Sequence, residues 1–244
     1  MSLKLVMDNL KGKTETSLVK VQNSKGNWGT GFLIDHGFII TNCHCLPRLD
    51  NDLKKAVRLP DPAKPDDDRV ELAIKRFNSR REEARAEVVY ADPCGDIAIL
   101  QGLDSQDFPE QHIRYYKLID DMNPIQIYLK PLLRLKDDLD VYVRTVERVW
   151  LSGTAFIAGA YGGRTLAVHL HDKKARIPGG TSGSPVFKAD GVVVGVLKIG
   201  SLRTAEYYAL AMPDYLPVWL YNRLLGNGEL TLAQRKKISL LGRK

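Results

Sequence analysis

Residues 179–185, Gly-Gly-Thr-Ser-Gly-Ser-Pro, contain the residue types that most clearly predict chemistry in this chain of 244 residues. Because glycine is entropically costly in folded structure, such a cluster indicates positive φ angles or the close approach of another group to the backbone. We interpret that group as a carbonyl whose carbon is attacked by Ser182, with the backbone N–H groups of Gly180 and Ser182 directed at the developing negative charge. A Gly-Ser hairpin turn is the alternative interpretation of this stretch alone.

A serine hydroxyl is a poor nucleophile until a base removes its proton, and His44 is the candidate base among the five histidines. It comes just after two apolar, strand-like runs, residues 29–34 and 37–42, that flank a turn. This position predicts that the imidazole lies at the mouth of a hairpin, where it can reach into a cleft. A purely structural histidine is the alternative at such a position.

Asp96 is the candidate for the carboxylate that orients this base. It opens the apolar run of residues 97–100, where a carboxylate is poorly solvated and requires a partner such as an imidazole N–H. Asp92 is the competing candidate, but the neighbouring Pro93 and Gly95 are typical of a turn and indicate a turn role for it.

Four short blocks, occurring in this order, resemble the trypsin/chymotrypsin family of serine proteases, and in particular its bacterial trypsin-like peptidase and HtrA-related branch. They are Gly-Thr-Gly-Phe at residues 29–32, Thr-Asn-Cys-His-Cys-Leu at 41–46, Asp-Ile-Ala-Ile-Leu at 96–100 and Gly-Thr-Ser-Gly-Ser-Pro at 180–185. The order histidine, aspartate, serine is that of the chymotrypsin triad, and subtilisins and α/β-hydrolases use other orders.

The resemblance covers roughly residues 17–225 and implies a serine endopeptidase acting on proteins or peptides. It implies that His44 is the general base and acid, that Asp96 orients it, and that Ser182 is the nucleophile. It also implies that the amides of Gly180 and Ser182 form the oxyanion hole. A non-catalytic protease-fold module that binds protein or nucleic acid is the alternative, because a fold can persist without its chemistry.

The elements that must position these residues are predicted to be short strands separated by turns. This pattern is typical of an all-β pair of barrels rather than a parallel sheet. The resemblance implies two six-stranded antiparallel β-barrels with a C-terminal α-helix. The expected organisation is a loosely ordered N-terminal extension (1–15), a first barrel (16–102), an interbarrel connection (103–123), a second barrel with the helix (124–225) and a basic tail (226–244).

Strands are predicted in the first half at residues 17–22, 30–34, 38–41, 70–77, 87–90 and 96–101. In the second half they are predicted at residues 125–129, 141–150, 153–161, 164–171, 185–188, 192–199 and 206–212. A helix is predicted over residues 214–225, because apolar residues recur there at helical spacing and Gly226 follows. The proline- and charge-rich residues 47–68 predict a surface excursion, and residues 231–244 predict a short amphipathic helix or a frayed tail.

The net charge of +7 and the isoelectric point near 9.2 admit an acidic partner such as a nucleic acid. The basic residues are dispersed over several short clusters, so a solvated surface is favoured over nucleic-acid binding. No stretch is long and apolar enough to span a bilayer, and a membrane partner is not expected. The first residues lack the apolar core of a secretory signal, from which we expect a cytoplasmic protein.

The three cysteines, Cys43, Cys45 and Cys94, are an odd number without the spacing of a disulfide framework. Reduced thiols are therefore expected, in agreement with a cytoplasmic location. These cysteines together with His44 admit a zinc site as an alternative, but the spacing is not that of a zinc finger. We expect neither a metal nor a cofactor.

By resemblance, the pocket for the substrate side chain before the cleaved bond (P1) is built from two stretches. One lies about six residues before the nucleophile and contains Arg176, and the other is the following strand with Lys198 and Gly200. A guanidinium there favours an acidic P1 side chain. His169, with His171 nearby, resembles the pocket histidine of glutamate- and glutamine-selective relatives. The alternative is that Arg176 points to solvent and the pocket is shallow and apolar.

Thr181 stands directly before the candidate nucleophile, where zymogen-activated members of the family have an aspartate that pairs with a newly cut N-terminus. Threonine cannot make that ion pair. The resemblance therefore implies control by loop ordering or by an activating protein partner, as in bacterial stress or defence systems.

Overall fold

The computed structural model describes residues 3–14, 16–22, 28–46, 71–76, 83–130, 138–158, 165–201, 206–212 and 214–225. Within these residues, strands dominate and helices lie at the two ends and in the middle. The helices are α1 (Leu3–Thr14), α2 (Pro109–Asp120) and α3 (Val218–Leu224). No described helix is long and apolar enough to cross a membrane.

The first barrel is an antiparallel sheet whose strands pair in the order β1-β2-β3-β6-β5-β4 and close through β4 and β1. Apolar side chains from all six strands meet in its interior. Closure pairs the edge strands, so no open sheet edge remains. The strands are β1 (Leu18–Gln22), β2 (Trp28–Ile34), β3 (Phe38–Thr41), β4 (Glu71–Arg76), β5 (Glu83–Asp92) and β6 (Ile97–Gly102).

The second barrel has the same architecture, with strand order β10-β11-β12-β9-β8-β7 and closure through β7 and β10. Its interior is again lined by apolar side chains from all six strands. The predicted pair of six-stranded antiparallel barrels is therefore confirmed. The strands are β7 (Leu139–Arg144), β8 (Trp150–Ala158), β9 (Thr165–Leu170), β10 (Pro185–Phe187), β11 (Val193–Ser201) and β12 (Glu206–Ala211).

A third apolar cluster joins the outer faces of the two barrels. Phe32 and Ile40 contribute from the first barrel, and Phe187 and Val196 contribute from the second. Neighbouring residues on one strand serve different clusters: Leu33 belongs to the interior of the first barrel while Phe32 faces the second. Because successive side chains point to opposite faces, a strand buried on both faces must be apolar throughout, as residues 31–34 are.

The N-terminal residues 1–15 were expected to be loosely ordered, and this prediction was wrong for the described part. Residues Leu3–Thr14 form α1, whose side chains of Val6 and Leu10 are buried in the cluster between the barrels. The hydroxyl of Thr14 donates a 2.7 Å hydrogen bond to the carbonyl of Leu10. Val6 and Leu10, one turn apart, and the partly buried Met7 make the apolar contact, and so short an amphipathic pattern is a weak sequence signal.

The connection at 103–123 contains α2, a helix that the sequence analysis did not predict. Pro109 occupies its first turn, where the missing N–H costs nothing. Tyr115 and Leu118 of α2 are buried against the first barrel, and the Tyr115 hydroxyl donates a 2.7 Å hydrogen bond to the carbonyl of Gly37. The helix thus packs onto the barrel instead of simply bridging it to the next.

Three further predictions differ from the structure. The strand predicted at 141–150 ends at Arg144, because a turn at Thr145–Val149, with a positive φ of 69° at Arg148, separates β7 from β8, which begins at Trp150. The strand predicted at 125–129 is reduced to one bridge between Ile127 and Val193. The C-terminal helix begins only at Val218 because Pro217 has extended backbone angles. The segments 47–68 and 231–244 lie outside the described residues.

Candidate active site

The turn between β5 and β6 places Asp96. Within it, Oδ1 of Asp92 accepts hydrogen bonds from the backbone N–H groups of Cys94 and Gly95, each 3.0 Å long. A Cβ on Gly95 would lie 2.5 Å from Oδ2 of Asp92 and 2.7 Å from Cδ1 of Tyr215, so a larger residue would force one of these side chains to move. Asp92 therefore caps the turn, as its sequence neighbours indicated.

Asp96 has a left-handed backbone conformation, with φ of 57°, that is costly for a residue with a side chain. The strain is offset by hydrogen bonds to its carbonyl oxygen from the Asn42 side chain at 2.8 Å and from the backbone N–H of Cys43 at 3.3 Å. These contacts aim the carboxylate, which is only 8% exposed, at the turn that follows β3.

That turn, a 3₁₀ helix at Cys43–Cys45, carries His44. The backbone N–H of His44 donates to Oδ1 of Asp96 at 3.0 Å, and its Nδ1 lies 2.9 Å from Oδ2 and 3.0 Å from Oδ1. Because Nδ1 faces a carboxylate, we assign a proton to it, which leaves Nε2 to exchange protons with a substrate or nucleophile. His44 and Asp96, predicted to interact, are thus brought together.

The surroundings of His44 favour its protonated form. Its pKa is raised to about 10, chiefly by the hydrogen bond to Asp96 and next by the Cys45 side chain, while burial opposes the rise. The pKa of the neighbouring Cys43 is raised to about 12, first by burial and then by the charge of Asp96. Cys43 therefore remains a thiol, whose Sγ donates to the carbonyl of Ile97 at 2.9 Å.

Ser182 lies in the loop before β10 and is buried, with 2% of the residue exposed. The loop is tied to β11 by two hydrogen bonds, from the N–H of Gly183 to the carbonyl of Leu197 at 2.9 Å and from the N–H of Leu197 to the carbonyl of Ser184 at 2.8 Å. Gly183 has a φ of 85°, and a Cβ there would lie 2.0 Å from the carbonyl oxygen of Thr30. Gly180 and Gly183 thus have the positive φ that the glycine cluster indicated. The group that closely approaches Gly183 is the Thr30 carbonyl and not the substrate carbonyl that was expected.

Contacts with the first barrel bring this loop to the same cleft as His44. The backbone N–H of Thr30 donates to the carbonyl of Ser182 at 2.9 Å, and the Thr30 hydroxyl donates to the carbonyl of Gly180 at 2.7 Å. The thiol of Cys45, the residue after His44, lies 3.6 Å from the same Ser182 carbonyl. Sequence reasoning did not identify Thr30 and Cys45 as site residues, because their contacts join segments 150 and 137 residues apart.

The loop leaves two backbone donors available beside the candidate nucleophile. The N–H groups of Gly180 and Ser182 donate to no acceptor in the described part of the chain. The φ of 83° at Gly180 and the bond from Thr30 to its carbonyl hold this segment in one orientation. The hydroxyl of Thr181 accepts from the N–H of Val146 at 3.2 Å, which fastens the loop to the turn between β7 and β8.

The hydroxyl oxygen of Ser182 is buried and forms no hydrogen bond with any described group, His44 included. The imidazole is therefore paired with Asp96 but not engaged with the serine. Catalytic hydrogen bonds are often long or absent in the free enzyme and form only with substrate.

The four residues predicted for the P1 pocket have different surroundings. The exposed Arg176 donates from Nη1 to the carbonyls of Lys173 and Ala175 at 2.9 and 2.8 Å. Nζ of Lys198 lies 3.7 Å from Oδ2 of Asp96. His169 is exposed on β9 with its ring edge-on to Phe156, and Gly200 lies on β11 near the strand's bulge.

This placement does not favour the acidic-P1 hypothesis, since Arg176 is bonded within its own turn and Lys198 reaches the candidate triad. The contact between Lys198 and Asp96 was missed at the sequence level. The sequence signal for it is a single lysine that follows the apolar residues 193–197 of the strand. The structure buries those five residues. Within the described ranges, no three histidine, cysteine, aspartate or glutamate side chains are grouped so as to hold a metal.

Two closed six-stranded barrels, with His44 and Asp96 on one and the Ser182 loop on the other, define the chymotrypsin-like class of fold. In agreement, residues 29–123 match the family described as the trypsin-like peptidase domain. That match includes the segments with His44 and Asp96 and ends before Ser182. A search of curated proteins finds no match.

Solved structures with the same fold include several serine proteases. The Rv3671c protease from M. tuberculosis in its active form is 19% identical, with a TM-score of 0.54 over 86% of this chain and 82% of that one. Deg5 is 17% identical, with a TM-score of 0.56 over 88% and 92%. The serine endoprotease from Yersinia pestis is also 17% identical, with a TM-score of 0.54 over 91% and 67%. The resemblance to trypsin-like and HtrA-related serine proteases is thereby confirmed.

Proposed function

We propose that this protein is a serine endopeptidase that cleaves protein substrates through an acyl-enzyme on Ser182. The observation that carries the proposal is the pairing of His44 Nδ1 with Asp96 at 2.9 Å on the cleft that receives the Ser182 loop. The trypsin-like fold supports the same conclusion. A buried carboxylate holding an imidazole beside a serine is the arrangement that general-base activation of a hydroxyl requires.

In the first half-reaction, Oγ of Ser182 attacks the substrate carbonyl carbon while Nε2 of His44 takes the hydroxyl proton. The carbonyl oxygen becomes an oxyanion, to which the N–H groups of Gly180 and Ser182 donate. The C–N bond then breaks, and His44 returns the proton to the leaving amine. Asp96 keeps its charge throughout and stabilises the imidazolium.

In the second half-reaction, a water molecule takes the place of the amine. His44 removes one of its protons as its oxygen attacks the acyl carbon, and a second oxyanion forms in the same hole. The bond from the acyl carbon to Oγ of Ser182 breaks, and the proton passes from His44 to the serine. The products are a carboxylic acid and the free enzyme, with no oxidant, metal or cofactor consumed.

The resting arrangement favours an enzyme whose site is completed by binding. The pKa of His44 near 10 means that the imidazole holds its proton at neutral pH. The hydroxyl of Ser182 is not bonded to it. We infer that substrate, or an activating protein partner as implied by Thr181, brings the hydroxyl to Nε2. A role as a stress or defence effector triggered by such a partner remains part of this proposal.

Preference for aspartate or glutamate at P1 stays a hypothesis, and it requires Arg176 to leave the carbonyls of Lys173 and Ala175. A cleavage-site profile over a peptide library tests it, and preferred cleavage after leucine, phenylalanine or arginine would exclude it. A cytoplasmic, reducing location is proposed on the cysteines, since Cys43, Cys45 and Cys94 are all unpaired.

A fluorophosphonate probe tests the enzymatic proposal without a known substrate, because an activated serine displaces its fluoride. We expect labelling of the wild-type chain and none of Ser182→Ala. Ser184→Ala is the matched control: Ser184 lies two residues away, is equally buried, and its hydroxyl also lacks a partner among the described groups. Labelling that persists in Ser182→Ala would contradict the assignment of the nucleophile. If labelling is then lost in Ser184→Ala, Ser184 is the nucleophile instead.

A second candidate function is a non-catalytic module that binds protein or nucleic acid. One observation favours it, namely that the hydroxyl of Ser182 and the ring of His44 are not hydrogen-bonded to each other. The net charge of +7 is compatible with a nucleic-acid partner. Absence of labelling in the folded wild-type chain, with and without peptide substrate, would favour this function over the first.

A further inference from the structure

Lys198 makes a charge contact across the cleft between the two barrels. It lies on β11 of the second barrel, and its Nζ is 3.7 Å from Oδ2 of Asp96, which belongs to the first. The Asp96 side chain is 8% exposed and that of Lys198 is 44% exposed, so the ammonium reaches a nearly buried carboxylate from the solvent side. The same Oδ2 lies 2.9 Å from Nδ1 of His44. One carboxylate oxygen therefore faces both side chains.

This geometry has a direct electrostatic consequence for His44. When the imidazole gives up its proton, Asp96 is left as a charged carboxylate in a site with little water, which is costly unless a cation stays beside it. Lys198 is such a cation. Its presence therefore favours the neutral imidazole, which is the form that can remove a proton from a serine hydroxyl.

The other titratable groups around His44 differ from Lys198, because they either raise the pKa of His44 or carry no charge. Asp96 and the Cys45 side chain both raise the pKa of His44. Cys43, on the same turn, remains a thiol, and the nearby Asp92 is a further negative group acting on Cys43. Burial opposes that rise. Among the described residues in contact with Asp96, Lys198 is the one lysine or arginine, and a positive charge at that position acts in the same direction as burial.

Lys198 is also connected to the nucleophile through its own strand. The preceding residue, Leu197, accepts a hydrogen bond from the N–H of Gly183 and donates one to the carbonyl of Ser184. The segment of β11 that supports the Ser182 loop is therefore the segment that delivers the ammonium to Asp96. A change in the position of this strand would move the serine and the cation together.

We propose that Lys198 is a positioning residue that shares the Asp96 carboxylate with His44 and thereby keeps the imidazole more easily deprotonated. Its consequence for catalysis rests on the proposed peptidase function. Its effect on the imidazole does not, because it can be measured in a protein without the nucleophile.

The first test is an NMR titration of the histidine rings in the full chain carrying Ser182→Ala, with and without Lys198→Met. The His44 signal is identified by its loss in His44→Gln. We expect the pKa of His44 to rise by about one when the ammonium is removed. Lys198→Arg, which keeps the charge, should titrate like the parent. Lys188→Met should do the same, because it removes an equal charge from an ion pair with Asp190 elsewhere on the barrel.

The second test uses the chain with Ser182 intact and measures the rate of fluorophosphonate labelling against pH. At neutral pH, Lys198→Met should label about tenfold more slowly, because a tenfold smaller fraction of His44 is neutral. The difference should close as the pH passes the pKa of His44, and Lys198→Arg should restore the rate. Loss of packing alone would lower the rate at every pH. Lys198→Gln serves as a second neutral variant if Lys198→Met fails to fold.

The outcomes separate the two proposals. If His44 titrates identically in the parent and in both neutral variants, the role of Lys198 is overturned. If the pKa of His44 rises as expected but the wild-type chain does not label, the role of Lys198 stands and the proposed peptidase function fails.

Discussion

The side-chain hydroxyl of Thr30 donates a 2.7 Å hydrogen bond to the carbonyl oxygen of Gly180, and so joins the first barrel to the loop that carries Ser182. The backbone of the same residue is bonded to Ser182, and its carbonyl accepts from the Thr41 hydroxyl at 2.7 Å. Thr30 is completely buried. It therefore sets the orientation of the peptide that follows Gly180, next to the two free amides of the proposed oxyanion hole.

Thr30→Val should slow fluorophosphonate labelling of Ser182 by about tenfold, because a buried carbonyl loses its donor and the loop loses one restraint. Valine preserves the shape of the side chain, so the fold should be retained. Thr30→Ser, which keeps the hydroxyl, should label at close to the wild-type rate. Labelling of Thr30→Val at the wild-type rate would show that the loop is held in place without this hydrogen bond.

Gly183→Ala should destabilise the protein by about 3 kcal/mol or more, since φ is 85° and the added Cβ would collide with the Thr30 carbonyl oxygen. Gly179→Ala is the matched control in the same loop, because a Cβ there meets nothing within 4 Å. Its cost should stay within about 0.5 kcal/mol. Urea unfolding of both variants measures the difference, and equal midpoints would contradict the described loop conformation.

The pairing of His44 with Asp96 should make stability depend on pH. The folded pKa of His44 is about 10 and its ordinary value is 6.5, so the folded state binds the proton more tightly than the unfolded state does. The resulting stabilisation is fully present below about pH 6.5 and is lost as the pH rises toward 10.

Comparison of Ser182→Ala with the double variant Ser182→Ala, His44→Gln isolates this contribution without self-cleavage. The free energy of unfolding lost with His44 should be larger at pH 6 than at pH 10. An equal loss at both pH values would mean that the pairing with Asp96 does not raise the pKa of His44.

Leu10→Ala in α1 should destabilise the protein by about 2–5 kcal/mol, because the side chain is fully buried between the barrels and its removal leaves a cavity. Leu5→Ala in the same helix is the control, since Leu5 is 57% exposed. Its effect should stay below about 1 kcal/mol. Thermal or urea unfolding distinguishes them, and similar midpoints would mean that α1 does not dock as described.

Much of the fold could be predicted because strand signals are local. The apolar runs around residues 31–34 and 193–197, bounded by glycines and turns, lie in strands β2 and β11. The two helices that were missed, α1 and α2, leave apolar residues such as Leu5 and Ile113 exposed, and the burial of the others depends on surfaces supplied by distant strands. Local patterning has no access to those surfaces, because tertiary packing supplies most of the stability of such helices.

The candidate site, like the fold, could be predicted from the sequence only in part. Residue types and their order were enough to propose His44, Asp96 and Ser182, since few other side chains can act as base, carboxylate and nucleophile. Arg176 and Lys198 were proposed for the P1 pocket by resemblance, and the structure gives each a partner that the resemblance did not indicate.

Chain order and residue chemistry thus establish the class of fold and the three side chains proposed for catalysis, because both are recorded in short, contiguous motifs. Three other features depend on how the two closed barrels pack. They are the contact of Lys198 with Asp96, the hydrogen bond from Thr30 to the Gly180 carbonyl, and the Ser182 hydroxyl that has no hydrogen-bond partner among the described groups. Such contacts are governed by differences of a few tenths of an ångström between segments far apart in the chain. No local pattern of residues encodes them.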